Sequence, residues 1–250
     1  MKNNLVLIIG ILLFAQCKPV NDVELTVVPT GSLDTLGIHW AVVEKPNIIY
    51  YFQDFNAQSY YALEYIDKHE VTYVTLSAVF TPKLPKKLRF FIWSDAALAE
   101  KLLGMPLGFT VSAQCVCHVR PTQSLGHEMT HALSYWSGGK PFTGGYSRFI
   151  NEGLAVAFDL RTVNRIDEAK SYTAGENIQS VADVWSGSYQ VSDDALYSLG
   201  GAFMDFMYKQ NLPSQFNALI KDQSIQSAEN IYGKNRLDSL IANFNSQMGW

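Results

Sequence analysis

Two histidines four residues apart, with a glutamate directly after the first, constrain this chain of 250 residues more than any other feature. The run reads Ser124-Leu125-Gly126-His127-Glu128-Met129-Thr130-His131-Ala132-Leu133. A four-residue spacing brings two side chains onto one face when the backbone is helical. The segment is therefore predicted as a helix whose two imidazoles together bind one zinc ion. Glu128 lies next to them, where its carboxylate can take a proton from a water that attacks a carbonyl.

A third ligand is offered twenty-one residues after His131, in the run Phe149-Ile150-Asn151-Glu152-Gly153-Leu154-Ala155. A helix starting near Ser147 carries Glu152 in its second turn. The glycine pairs Gly138-Gly139 and Gly144-Gly145 make the connection a turn-rich loop, which lets the two helices pack side by side. Gly153 permits close helix contact. Two His and one Glu leave the fourth tetrahedral position open for water, the arrangement of a catalytic zinc.

The residues around this pair predict an α+β architecture. Segments 37–43 and 47–52 are β-branched and aromatic runs separated by Glu44-Lys45-Pro46, and read as two strands. In 57–69, Tyr61, Ala62, Tyr65 and Ile66 recur at helical spacing. A strand over 88–93 follows, then a helix capped by Asp95 and running to 103, then a strand near the end of 108–119. That order suggests an α/β lobe with one mixed sheet, over 34–138. Helix dominates after 120, giving a mainly helical lobe over 139–250. Apolar residues make up 48% of the chain and charged residues 17%, enough apolar material for a core. Lys and Arg number 19 against 23 Asp and Glu, which gives no sign of a nucleic-acid groove.

At the N-terminus, Lys2 precedes residues 5–15, eleven positions that are apolar or Gly. The run is too short to span a bilayer but suits the core of a secretory signal. Its end, Phe14-Ala15-Gln16-Cys17, resembles the lipobox of bacterial lipoproteins, although Phe14 and Gln16 depart from the strict pattern. That resemblance implies a signal peptide over 1–16, an acylated Cys17 that attaches the chain to a membrane of the bacterial cell envelope, and a polar tether over 17–33. Plain secretion with cleavage nearby is the alternative.

The two central motifs resemble the gluzincin group of zinc metallopeptidases, and within it the broad peptidase-MA-like proteins. In these a His-Glu-x-x-His helix is followed by a second helix with an Asn-Glu-Gly-x-Ala-like run. The resemblance covers only about residues 119–155. It implies a zincin-like fold with the zinc cleft between the two lobes, His127, His131 and Glu152 as ligands of one zinc, and Glu128 as general base. The activity implied is cleavage of a peptide or protein by an endopeptidase. The alternative is a zinc-containing lipoprotein of the same fold that binds a peptide or glycan without turnover.

Where better-known relatives carry a carboxylate four residues after the ligand Glu, this chain has Val156; Asp159, three residues further, is the weaker substitute. The stretch Ser112-Ala113-Gln114-Cys115-Val116 lacks the Gly-x-Met-Glu-Asn run of the aminopeptidases, which disfavours aminopeptidase action. No His follows His131, so an oxyanion donor must be a phenol or a cation. The run from Asp193 to Phe203 resembles the later helix of peptidase-MA-like proteins, where a Tyr often faces the cleft. Tyr197 is therefore the first candidate, with Tyr146 and Arg148 behind it.

Cys115, Cys117 and His118 tempt a second metal reading. On a strand the two cysteines share a face with α-carbons about 7 Å apart, at the edge of disulfide geometry. Two free buried thiols are the expectation. By analogy with related folds, residues 114–118 border the cleft and pair with an extended substrate. His39 and His69 read as ordinary strand and helix-end residues. Lys83, Lys86, Lys87 and Arg89 read as a solvated loop.

Overall fold

The computed structural model describes residues 29–139, 142 and 144–250. The expected signal sequence and Cys17 lie outside the described residues. Among those described, ten helices and six strands form a mixed α+β fold. The strands are β1 (Gly31–Thr35), β2 (Ile38–Glu44), β3 (Ile48–Phe52), β4 (Leu88–Ile92), β5 (Phe109–Val111) and β6 (Val116–Val119). They make one sheet in the order β1-β2-β3-β4-β6-β5. The central pairs β3/β4 and β4/β6 are parallel, and the outer pairs β1/β2, β2/β3 and β5/β6 are antiparallel.

Alternation along the strands divides the sheet into two apolar faces. Tyr50, Phe52, Phe90, Ile92 and Val119 belong to the larger core, which extends into the helical half of the chain. Trp40, Tyr51, Phe91, Trp93 and Val116 form the opposite face. There Trp40 stands edge-on to Phe91 and Trp93, at centroid separations of 5.1 and 4.8 Å, a favoured aromatic geometry. Helix α2 (Ala96–Leu103) contributes Ala99 to this second cluster. Asp95 caps it, accepting from the Leu98 N–H at 2.9 Å, and Gly104 ends it in the left-handed conformation.

Three elements differ from the expectations above. Helix α1 (Phe55–Phe80) runs eleven residues past the predicted end at 69. Ala62, Ile66, His69, Leu76 and Phe80 are buried along it. The intervening Val71 and Val74 are exposed, so the β-branched run 71–75 conceals a helical stripe. His69 is consequently mid-helix, bonded at 2.8 Å to the Tyr65 carbonyl, and burial lowers its pKa to about 4. Strand β1 begins at Gly31, inside the segment expected as tether. Its side chains are almost all exposed, so backbone pairing with β2 holds it and no apolar alternation announces it. Strand β5 also has only half-buried side chains and only three residues. It, and not residues 114–118, is the sheet edge, because β6 lies between β4 and β5.

The second half of the chain consists of α3 (His127–Tyr135), α4 (Arg148–Ala157), α5 (Arg165–Tyr172), α6 (Val181–Ser186), α7 (Asp193–Lys209), α8 (Pro213–Lys221), α9 (Ile225–Tyr232) and α10 (Lys234–Met248). Helix α7 is the hub, burying Leu199, Ala202, Phe203 and Met204 among others. Helix α4 lies between α3 and α7. Gly153 on α4 meets Gly200 on α7 backbone to backbone: a Cβ added to Gly153 would come within 2.6 Å of the Gly200 carbonyl. The close contact expected of Gly153 is thus made with α7. No helix among the described residues is long and apolar enough to cross a membrane.

Candidate metal centre

Helix α3 opens on His127 itself, and its start is fixed by contact with the chain after α4. A Cβ on Gly126 would lie 2.3 Å from the Phe158 carbonyl oxygen, so only glycine fits there. Met129, Ala132 and Leu133 are fully buried and seat the helix. One turn apart, His127 and His131 remain on a half-buried face. Ser147 caps α4 by accepting from the Ile150 N–H, and Glu152 follows in the second turn, as predicted.

The structure brings His127, His131 and Glu152 together. Glu152 Oε2 lies 3.4 Å from the Nε2 of each histidine. One donor atom from each of the three residues falls within 4.8 Å of the others. Zinc bonds of roughly 2.0–2.2 Å in a tetrahedron place neighbouring donors about 3.3–3.6 Å apart. The donor chemistry and the two histidine–glutamate spacings therefore fit a metal ion such as zinc. Burial works against the charge of Glu152, but hydrogen bonds from His127 and then His131 outweigh it and hold the carboxyl down at about 2. Burial likewise disfavours the His131 cation, and Glu152 overcomes that and raises its pKa above the ordinary value.

On its other nitrogen, His131 has a partner the motif alone did not reveal. Asn151 Nδ2 lies 3.2 Å from His131 Nδ1. A histidine that gives Nε2 to a metal carries its proton on Nδ1, so a metal at this site would require the Asn151 amide to present its oxygen there in place of its nitrogen.

Glu128 is 3% exposed. Its Oε2 accepts from Thr110 Oγ1 at 2.8 Å, and its Oε1 accepts from Gln123 Nε2 at 3.1 Å. Thr110 belongs to β5, and Gln123 to the loop entering α3. A cavity of about 450 Å³ is lined by Thr110, Gln123, Glu128, the three metal-binding candidates and Tyr197. Tyr197 accepts a hydrogen bond from Arg148 Nη2 at 3.3 Å, and the guanidinium lies 5.3 Å from its ring centroid. Arg148 is held in turn by Asp193 at 2.8 Å. Tyr146 and Arg148 line a neighbouring cavity of about 460 Å³.

Other candidates are placed elsewhere. Val156 packs on Gly201, where an added Cβ would be 2.3 Å from its Cγ1. Asp159 is buried beside Gly126, with Oδ2 bonded to Arg161 and Oδ1 without a hydrogen-bond partner. Cys115 and Cys117 are free and buried. Cys115 is not on a strand; it ends the turn Ser112–Gln114 with φ 54. His118 faces away from them, stacked between Phe91 and Phe109, and accepts from Trp93 Nε1 at 3.1 Å. Burial lowers its pKa to about 4. Exposed His39 pairs with Asp34.

Comparison with family profiles and with curated proteins finds no match for this chain. The arrangement of these side chains is accordingly the basis for any functional reading.

Proposed function

We propose that the chain is a zinc-dependent peptide-bond hydrolase, an endopeptidase with a zincin-like fold of the gluzincin type. The observation that carries this is the meeting of His127, His131 and Glu152, with Glu152 3.4 Å from both imidazoles, beside the buried carboxylate of Glu128 on one cavity wall. When bound, zinc supplies a Lewis acid that activates water and polarises the scissile carbonyl.

The protein's own groups do the rest. Glu128 takes the proton of the attacking water as the new C–O bond forms. It delivers that proton to the amine nitrogen as the C–N bond breaks, so it ends the cycle as it began. Tyr197 accepts from Arg148 and keeps its own hydroxyl proton to donate, and it lines the same cavity. In this reading that proton meets the carbonyl oxygen as negative charge builds on it. Strand β5 pairs with β6 along one side, and its other side is the sheet edge. An extended peptide adds to that edge through backbone hydrogen bonds and reaches the cavity past Thr110. The resemblance to exported lipoproteins extends the proposal to a chain anchored at Cys17 in a bacterial envelope, acting on peptides or proteins.

A second reading keeps the zinc without the turnover, as a peptide- or glycan-binding lipoprotein. It is favoured by Val156, which is committed to packing on Gly201 at the place where a carboxylate would steady a histidine ligand. The two readings separate on the purified full-length chain, wild type beside Glu128→Gln, assayed for zinc content and for cleavage of a broad fluorogenic peptide library. The expected result is about one zinc per chain in both proteins and cleavage in the wild type alone. Cleavage that survives in Glu128→Gln sinks the mechanism. Zinc without any cleavage in the wild type selects the binding protein.

A further inference from the structure

A general base must do more than exist near its water; its carboxylate must be held in one orientation, because a rotation about its last bond moves both oxygens. Three rotatable bonds separate the Glu128 carboxylate from its backbone, and a helical backbone restricts only the first of them. In this protein two side chains from outside α3 hold it. Thr110 reaches Oε2 from β5, eighteen residues earlier in the chain, and Gln123 reaches Oε1 from the loop before α3. Each oxygen thus receives one neutral donor, and each retains lone-pair capacity for water.

The two donors are themselves anchored. Thr110 is fixed by the pairing of β5 with β6, in register with Cys117. Its Oγ1 also lies 2.9 Å from the backbone carbonyl of Glu128. Cys117 Sγ lies 3.4 Å from the same hydroxyl; a hydroxyl carries a single proton, and the carboxylate is the strongest acceptor of the three. Once Glu128 has taken up a proton on Oε2, the Thr110 oxygen can accept from it while the Thr110 proton turns to the carbonyl. The contact therefore persists in both states. Gln123 uses its carbonyl oxygen to accept from the Arg120 N–H at 3.4 Å, which points its amide N–H groups at Glu128. The amide rests over Gly108, whose φ is +98; a Cβ there would be 2.4 Å from Gln123 Nε2.

We propose that Thr110 and Gln123 are positioning residues for the reaction, clamping the Glu128 carboxylate from a sheet edge and a loop, with Gly108 as the floor under Gln123. The inference rests on the reading of Glu128 as the base. It assigns β5 a second role, since the strand proposed to bind substrate also aims the base.

The test uses full-length, zinc-loaded protein in four forms: wild type, Thr110→Val, Thr110→Ser and Gln123→Met. Valine keeps the β-branched shape and removes only the hydroxyl; methionine keeps the length of Gln123 and removes its donor. Four quantities are read: zinc per chain, kcat, KM, and calorimetric affinity for acetohydroxamic acid, a zinc chelator that gives its proton to a neighbouring carboxylate. Zinc content is expected to hold in all four. Thr110→Val and Gln123→Met should each lower kcat roughly 10- to 100-fold with KM within about twofold, because an interaction used in the transition state is lost. Hydroxamate affinity should fall in both, and Thr110→Ser should recover most of each loss. Wild-type kcat and hydroxamate affinity in zinc-loaded Thr110→Val overturn the clamp, as does a serine variant no better than valine. Should Thr110→Val lose zinc or fail to fold, Gln123→Met decides on the same criteria. A wild type that cleaves nothing, yet loses hydroxamate affinity in both variants, retains the clamp and removes the peptidase reading.

Discussion

The pair formed by Glu152 and His131 sets how the candidate metal centre should respond to acid. Glu152 raises the pKa of His131 above its ordinary 6.5, and the two histidines hold Glu152 at about 2, below its ordinary 4.5. In the metal-free chain His131 gives stability that is full below 6.5 and is lost as pH rises through its higher folded pKa. Glu152 gives stability present above 4.5 and lost as pH falls toward 2. Zinc needs His131 without its Nε2 proton, so protons and metal compete. Zinc affinity should therefore begin to fall on the alkaline side of 6.5 and drop by about tenfold per pH unit for each proton displaced. Chelator competition between pH 5 and 8 measures this, and affinity that is flat down to pH 5.5 contradicts it. His127, Glu128, His131 and Glu152 were legible because four-residue spacing and a helix start are local facts. Asn151, Thr110 and Gln123 carried no such signal. Their places beside α3 arise from the approach of β5 and α4 and from the fold of the loop that enters α3, which spacing along the chain does not encode.

At the scale of elements, the centre depends on how closely α4 lies on α7. Gly153 follows the candidate ligand Glu152 directly, and the missing Cβ at Gly153 sets the distance between the two helices. Overpacking of this kind usually costs about 1–3 kcal/mol. Gly153→Ala should lose about that much stability and also bind zinc more weakly, since α4 must move and carries Glu152 with it. Chemical denaturation and zinc titration of the one variant check both. A destabilised protein with wild-type zinc affinity would place the strain elsewhere. Helices with a cap and an apolar stripe, such as α2 and α4, were readable in advance. The full length of α1 was not, since exposed valines on its outer face imitate a strand. Edge strands β1 and β5 were missed because backbone pairing alone defines them.

Across the whole molecule, the candidate metal ligands draw on two helices that reach different partners. Helix α3 lies against β5 and β6, and α4 lies against α7. A zinc ion shared by His127, His131 and Glu152 would couple the sheet to the helical half of the chain, adding stability by binding only the folded form. The mixed sheet followed by helices was foreseeable from the order of periodic segments. The hub position of α7 was not, because its Gly200-Gly201 pair reads as helix-weakening until α4 is seen to need that space.

The two buried thiols make this coupling observable without any substrate. Cys115 sits in the turn just before β6 and Cys117 within the strand, both wholly inaccessible, and burial pushes both thiols up and away from the reactive thiolate. An alkylating reagent can reach them only when the layer of β6 and α3 parts, so the labelling rate of the peptide spanning 115–120 is a stopwatch for that opening. Zinc should slow it, and stripping zinc with a chelator should speed it by the factor the metal contributes to holding the layers shut. Equal rates with and without zinc would mean that the metal sits on a frame already closed. The chain thus carries, in two buried thiols outside the candidate centre, a recorder of how firmly a bound metal would hold sheet and helices in one body.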